Sequence, residues 1–459
     1  MTTARLLKPE ITELLKSSNF GALRELSTEL HPADVAEIIE LVAEKHILLA
    51  FLSMSPDMQP EIFGYLEPTR QQQLLDQFKP ETLTHVLAGI SPDDRTELLH
   101  ELPGALTRRM LEALAPVDRR KALALLGYHE ASVGRLMTPD FMHVSAESTA
   151  ADTLAKVRRL AAEVETVYVI YVIDANNKLI GTVSLRDVVV AKSYEQVKNF
   201  MTVDVVTCGT TDDREHGLTR IREYDLLALP VIDSQSRLVG IVTLDDLLDV
   251  SEDEATEDIL KMHGVATTLD DYFDDTIWKK YRSRVVWLVP LAFVGAGSVL
   301  VQQAYNPIIA QLSILAAYIT LMTATGGNVG TQSAGIMIRA ISTEDVDKAK
   351  LKRIFRHELL IGFALAFTLS LVGTSLVLAR GAEANVLGGH GVWEVALIVG
   401  ISMFLAVVTA NALGAAMPLF SRLMKIDPAV TAGPFITTAA DIIIVLIYFN
   451  VATAVVLGW

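Results

Sequence analysis

Thr431-AGPFITTAADIIIVLIYFNVATAVV-Leu457 is an apolar run at the C-terminal end of the chain with one charged residue, Asp441, inside it. At about 1.5 Å per helical residue, such a run crosses the roughly 30 Å of hydrocarbon in a bilayer. A carboxylate at that depth costs on the order of 2.5–3.5 kcal/mol, so it usually faces a polar cavity, an ion path or a hydrogen-bonding neighbour helix. Two expectations follow: a membrane-spanning helix, and a path for an ion past Asp441.

Four more apolar segments precede it, at about residues 284–303, 308–338, 358–379 and 395–418. The second is interrupted by Thr325-GGNVGTQ-Ser333. Basic residues cluster in alternate connections: Lys279, Lys280, Arg282 and Arg284 before the first segment, Arg339 to Arg356 after the second, and Arg422 and Lys425 after the fourth. The 303–307 connection has no charge, and 380–394 has Arg380 beside Glu383 and Glu394. By the positive-inside rule, the long N-terminal part is cytoplasmic, and five crossings put the C-terminus outside.

Charge divides the chain the same way. Residues 281–459 hold 11 Lys+Arg and 8 Asp+Glu, leaving 28 and 47 of the totals of 39 and 55 for residues 1–280. The formal charges are +3 and −19, an acidic soluble part and a membrane part. With no basic footprint, nucleic acid is not an expected partner. Cys208 is the sole cysteine, which excludes an intrachain disulfide and suits a cytosolic soluble part. The N-terminus has no apolar core of signal-peptide type.

The polar features inside the membrane part are Gly326, Gly327, Asn328, Gly330, Thr331 and Gln332, then Asn411, then Asp441. Glycine lets backbone carbonyls approach a pore, and irregular backbone at membrane depth is tolerated where it lines a cavity. Close helix packing accounts equally for the glycines, and an interhelical hydrogen bond for Asn411. One carboxylate among amides, hydroxyls and carbonyls suits a hard, hydrated cation such as Mg²⁺. Cysteine and histidine, the ligands of softer metals, are not clustered there. No GxxxxGK[ST] phosphate loop and no nucleophile–base constellation occurs, so neither an ATPase nor another enzyme is expected.

The soluble part contains two repeats. Prolines 56, 68, 80, 92, 103 and 116 recur every 11 to 13 residues, each opening an apolar-periodic segment, with Pro32 an earlier member. Proline fits a first helical turn, so the spacing predicts short helices of about two turns stacked as a solenoid. Asp93 and Asp94 at one helix start suit the helix dipole. Residues 134–251 hold two copies of a different α/β unit, ending Gly181, Ser184, Asp187 and Gly240, Thr243, Asp246. A carboxylate-rich connector follows, in which Glu254, Glu257 and Asp258 share one helix face.

The α/β repeat resembles a tandem pair of CBS domains, and the whole chain resembles the MgtE family of magnesium channels. The most specific motifs are GGNVGTQ at 326–332, DPAVTAGPFITTAAD at 427–441 and EATED at 254–258. The resemblance implies a multidomain protein: an α-helical solenoid N-domain (1–130), an α/β tandem CBS pair (131–250), an acidic connecting plug helix (251–281) and a five-helix transmembrane domain (282–459). It implies a homodimer in the plasma membrane with a pore between subunits. Asp441 then draws in Mg²⁺, with Asn328, Gly327 and Thr331 beside it. Regulatory Mg²⁺ is implied at Asp93 or Asp94, Asp213, Asp225, Asp246, Asp249, Glu254, Glu257 and Asp258, closing the channel when cytosolic Mg²⁺ is high. The CBS pair implies an adenosine nucleotide such as ATP as a candidate ligand of Ser184, Arg186 and Asp187. Leu226 stands where a nucleotide-binding member has an aromatic ring, and Ile442-Ile443-Ile444-Val445 replaces a more polar sequence after Asp441. The alternatives are a membrane-tethered nucleotide sensor that transports nothing, and a transporter of Co²⁺ or Mn²⁺.

Overall fold

The computed structural model describes residues 9, 13–14, 17, 19–265, 276–343, 348–380, 391–424, 426–431 and 433–457. The second half of the expected connector (266–275), most of the loop holding Glu383, and Lys425 lie outside the described residues. The chain divides into two units, Met1–Asp253 and Glu254–Trp459.

Among the described residues from Phe20 on, the first unit holds in turn the helices α1 (Phe20–Glu29), α2 (Pro32–Glu40), α3 (Glu44–Ser53), α4 (Gln59–Gly64), α5 (Pro68–Gln77), α6 (Pro80–Gly89), α7 (Pro92–Glu101), α8 (Gly104–Ala113) and α9 (Pro116–Leu126). Proline stands at the first helical position of α2, α5, α6, α7 and α9, where its missing N–H breaks no helical bond. The helices that open on proline run 9 to 11 residues, so three turns replace the expected two. Pro56 opens only a 3₁₀ turn before α4. Alternate helices stack, α2 on α4, α4 on α6, α6 on α8 and α7 on α9. One apolar core runs through them, from Val35 and Phe51 to Leu99 and Ala122. Long cations stitch the stack: Arg70 Nε donates to Glu40 Oε2 at 3.1 Å, and Arg109 Nη1 to the Leu75 carbonyl at 3.0 Å.

The α/β repeat follows as two equal halves. One comprises β1 (His143–Ser145), β2 (Val169–Ile173) and β3 (Leu179–Ser184), and the other β4 (Cys208–Gly209), β5 (Ala228–Ile232) and β6 (Leu238–Thr243). In each, the first strand pairs parallel with the second and the second antiparallel with the third. Short helix α10 (Val133–Leu136) precedes them. Helix α11 (Ala150–Leu160) crosses over in the first half and α13 (Arg214–Tyr224) in the second, and α12 (Leu185–Val190) follows β3. Asn177 and Ser236 occupy matching hairpin positions at φ 60° and 61°. The halves exchange backbone bonds there, the Leu238 N–H donating to Asn177 O at 2.9 Å.

Helix α14 (Leu244–Met262) runs unbroken across the division between the units. The second unit then holds α15 (Ile277–Ala304), short α16 (Asn306–Gln311), α17 (Ile314–Thr343), α18 (Lys348–Arg380), α19 (Val392–Leu423) and α20 (Gly433–Leu457). Among the described residues, α15, α18, α19 and α20 are long and apolar enough to cross a membrane. Helix α19 is the centre: Val395, Ile398, Val399, Met403, Ala406, Val407 and Ala410 are buried at helical spacing, and α17, α18 and α20 pack around it.

The polar stretch of α17 does not unwind. Residues 325–333 are helical throughout, so the expected irregular backbone gives way to close packing. A Cβ on Gly414 would lie 2.1 Å from the Gly330 carbonyl oxygen, and one on Gly326 would lie 2.1 Å from Ile444 Cδ1. Small residues bring α17 and α19 into backbone contact and let α20 side chains lie on the α17 backbone, as membrane helices commonly require.

Candidate functional site

In the first unit, the start of α7 and the start of α14 bring carboxylates together. Ser91 caps α7, its Oγ accepting from the Asp94 N–H, and this places Asp93 and Asp94 in the first turn. Thr243 and Asp246 form the corresponding start of α14, the Asp246 Oδ2 accepting from the Thr243 N–H at 3.1 Å and from its hydroxyl. Asp93 is buried, and its Oδ1 has no hydrogen-bond partner. Burial, then the neighbouring Asp94 charge, pushes the Asp93 carboxyl up. Burial, then Asp93, pushes up Asp246.

Two further acids belong to the same neighbourhood and carry no sequence signal. Glu97, on α7, is pushed up to about 7 by lost hydration first, then by Glu101 and Asp94. Glu165, in the loop before β2, reaches about 7 by lost hydration, then by Asp246 and Asp94. Both keep exposed surface, so Asp93, buried throughout, is the firmest member. Asp249 lies one turn beyond Asp246 on α14, exposed, its carboxyl raised by lost hydration and then by Asp253. An orphaned buried carboxylate oxygen among like charges suits a cation, which would hold it ionised where burial alone favours its protonation. Among the described residues, no three His, Cys, Asp or Glu side chains already converge on one point as a finished metal site.

Asp213 and Asp225 are not brought together within the chain. Asp213 caps the start of α13, accepting from the Glu215 N–H at 2.9 Å, and Asp225 ends the same helix in the left-handed conformation at φ 51°. An 11-residue helix separates them by about 16 Å. Ser184 and Asp187 likewise cap a helix: the Ser184 Oγ accepts from the Asp187 N–H at 3.0 Å and donates to Asp187 Oδ2. Arg186 and Asp187 stay exposed at that corner.

In the second unit, Glu254, Glu257 and Asp258 lie on the last turns of α14. The expected like-charge face is partly neutralised by Lys261, one turn on. Its Nζ is 2.6 Å from Glu257 Oε1 and donates at 2.8 Å to Asp427 Oδ2. Burial lowers the Lys261 ammonium, but the hydrogen bonds to Asp427 and Glu257 outweigh that and hold it well above the ordinary lysine range. Burial, then Asp427, raises Asp258. The end of this helix sits on the start of α20. A Cβ on Gly433, at φ +30°, would lie 2.2 Å from the Met262 carbonyl oxygen, so only glycine fits.

Asp441 is half-buried on α20, one turn after Thr437, which lies against Gly327 of α17. Thr331 is committed to its own helix, donating to the Gly327 carbonyl at 2.9 Å. Asn328 and Gln332 are exposed on another face of α17, and no hydrogen bond joins either to Asp441 among the described residues. Asn411 serves as an interhelical hydrogen bond, its Nδ2 donating to the Glu358 carbonyl at 2.9 Å.

Comparison with known proteins covers nearly all of the chain. The family described as divalent cation transporter, MgtE, matches residues 319–451, the MgtE intracellular N domain matches 30–131, and CBS domains match 133–194 and 197–253. The magnesium transporter MgtE of Thermus thermophilus is 34% identical over 453 residues, 97% of this chain and 98% of the relative. That of Enterococcus faecalis is 30% identical over 449 residues, 96% of each. A solved cytosolic domain of the Mg²⁺ channel MgtE in complex with ATP matches 53% of this chain and 100% of that domain, at 34% identity and a TM-score of 0.51. A solved soluble part of a magnesium transporter matches 55% of this chain and 99% of that one, at 29% identity and 0.52. The chain belongs to the MgtE family of magnesium transporters.

Proposed function

We propose that this chain is a channel that admits Mg²⁺ down its electrochemical gradient and is closed by Mg²⁺ bound among its cytosolic carboxylates. The observation that carries the regulatory half is Asp93 Oδ1, buried and unpartnered in the neighbourhood of Asp246 and Glu165, whose carboxyls are pushed upward. At low Mg²⁺ these groups repel. A divalent ion that satisfies Asp93 and Asp246 pulls α7 toward the start of α14 within the first unit. Further ions at Asp249, Glu254, Glu257 and Asp258 act along the same helix. Asp213 and Asp225, too far apart to share an ion in one chain, fit a site completed by a second subunit. An ion shifts the open–closed balance only through its differential affinity for the two states.

For transport, Asp441 is the one carboxylate in the last span, and Asn328 presents an amide that suits a hydrated ion. A negative-inside potential gives a divalent ion about 4.6 kcal/mol per 100 mV. In this reading the protein is a homodimer, the segment 1–130 is the N-domain, 131–250 the CBS pair, 251–281 the plug and 282–459 the membrane domain, with the C-terminus outside. Ser184, Arg186 and Asp187 are candidate contacts for an adenosine nucleotide, since a relative's cytosolic domain binds ATP.

The test is Mg²⁺ influx into proteoliposomes under a negative-inside potential. Wild-type flux should fall at least 100-fold in Asp441→Ala, a loss of about 2.7 kcal/mol or more. Equal flux in both would remove Asp441 from the path. Substituting Co²⁺ or Mn²⁺ for Mg²⁺ in the same assay measures selectivity.

A further inference from the structure

Glu358 is a buried carboxylate that the transport reading leaves without a task. It lies ten residues into α18, just past the basic cluster ending at Arg356, and is 6% exposed. Among the described residues no basic side chain pairs with it. Its side-chain partner is the Ser333 hydroxyl, itself buried at 2% exposure, which donates to Glu358 Oε2 at 3.2 Å. Its backbone carbonyl accepts from Asn411 Nδ2 of α19 at 2.9 Å. Asn411 fits there because Gly362, one turn later on α18, has no Cβ: one would lie 2.3 Å from that amide nitrogen. Three helices therefore meet at one residue.

Ser333 ends the polar stretch of α17, so this hydrogen bond acts on the rotation of that helix. At 3.6 residues per turn, Gln332 lies about 100° from Ser333 around the axis and Asn328 about 140°. Ser333, Ala334 and Met337 are buried, whereas Asn328, Gln332 and Ile336 are exposed. Buried Met322, Val329, Met337 and Ile338 set which face of α17 turns inward, but apolar packing is non-directional. A directional bond from Ser333 to Glu358 adds an angular constraint next to the polar stretch.

We propose that Glu358 is a positioning residue for cation transport: by accepting the Ser333 hydroxyl, it sets the rotation of α17 and hence the direction in which Asn328 and Gln332 face. The proposal rests on the reading that α17 lines the ion path. It assigns the role to the acceptor oxygen and its place, not to the negative charge.

The experiment measures Mg²⁺ uptake by full-length protein in proteoliposomes, as KM, maximal rate and pH profile, for Glu358→Gln, Glu358→Leu and Ser333→Ala. Gln keeps an acceptor oxygen at the same reach, and Leu keeps the volume without it. Expected is a near-wild-type KM and unchanged pH profile for Glu358→Gln, with KM raised about fivefold or more in Glu358→Leu and Ser333→Ala. Each variant is compared at equal amounts of reconstituted dimer-sized protein, which separates misfolding from misplacement. Glu358→Leu with wild-type KM would overturn the proposal. So would a Glu358→Gln variant as impaired as Glu358→Leu, because the charge would then matter and the bond would not. Loss of wild-type flux altogether would instead overturn the transport reading.

Discussion

The carboxylates of α14 and its surroundings fall into two sets that the chain treats in opposite ways. At its first turns, Asp246 sits with Asp93 and Glu165, acids raised by lost hydration and by one another, Glu97 is raised by lost hydration and by Glu101 and Asp94, and Asp93 Oδ1 has no donor at all. At its last turns, Glu257 and Asp427 share the Lys261 ammonium. One set is left for a cation to complete, and the other carries its own. A group compensated from within has little left to gain from an added ion, so sensitivity to Mg²⁺ belongs mainly to the first set. The second works as a fixed attachment between the end of α14 and the segment before α20.

The strongest test of that division removes the uncompensated charges. Asp93→Asn with Asp246→Asn keeps shape and hydrogen bonding but abolishes the repulsion that a divalent ion would relieve. The Mg²⁺ concentration that halves flux should rise by about tenfold or more, within the 5- to 150-fold range of typical coupling between sites. Flux measured against the Mg²⁺ facing the soluble part checks this, and an unchanged midpoint would move the sensing elsewhere.

A milder test uses protons in place of Mg²⁺. Glu97 and Glu165 have folded-state values of about 7, against about 4.3 for an unfolded glutamate, and Asp93 and Asp246 shift in the same direction. A raised carboxyl pKa means that the folded state holds protons the unfolded state has released. The stability this contributes is present below the unfolded pKa and lost as pH rises through the folded one. Without divalent ions, the melting temperature of the detergent-solubilised protein should therefore fall between pH 6 and pH 8. Added Mg²⁺ should raise it more at pH 8 than at pH 6. A Mg²⁺ effect of equal size at both values would break the link between these acids and the ion.

Much of this organisation is legible in the sequence because a few residue types act locally. Proline must sit in a first helical turn, so prolines 68, 80, 92 and 116 mark helix starts directly. The two α/β copies show themselves because Ser184 with Asp187, and Thr243 with Asp246, each close a helix start by short-range hydrogen bonds. What was not legible depends on partners far away in the chain. Glu165 joins Asp246 across a fold, and nothing in its own neighbourhood marks it. The glycines at 326–330 are compatible with an unwound segment or a packed helix; Gly414 and Ile444 decide for the helix. Glu358 looks like the last polar residue of a basic loop until Ser333 and Asn411 are placed beside it. Lys261 was within reach of sequence reasoning. It stands four residues after Glu257, the spacing of a helical ion pair.

Lys261 also provides the finest probe of the comparison, because replacing it converts the compensated set into an uncompensated one. Lys261→Met leaves Glu257, Asp258 and Asp427 as neighbouring acids without the lysine they share, closer to the condition around Asp93, whose Oδ1 has no hydrogen-bond partner and which Arg95 reaches only through its field. These groups keep a third or so of their surface in solvent, so the direct loss is small, about 0.2–1 kcal/mol for a pair of this kind. The qualitative change is larger than that figure. In Lys261→Met the attachment of α14 to the segment before α20 should depend on Mg²⁺, which protease protection of that connection with and without the ion would reveal. The flux midpoint should shift by no more than about fivefold. Exchanging the charges in Lys261→Glu with Asp427→Lys should restore the wild-type pattern if the pair itself is what matters. Should the single variant hold the connection equally well without Mg²⁺, the Met262–Gly433 backbone contact, and not the lysine, would be what fixes the helix end, and the two sets of carboxylates would be alike after all.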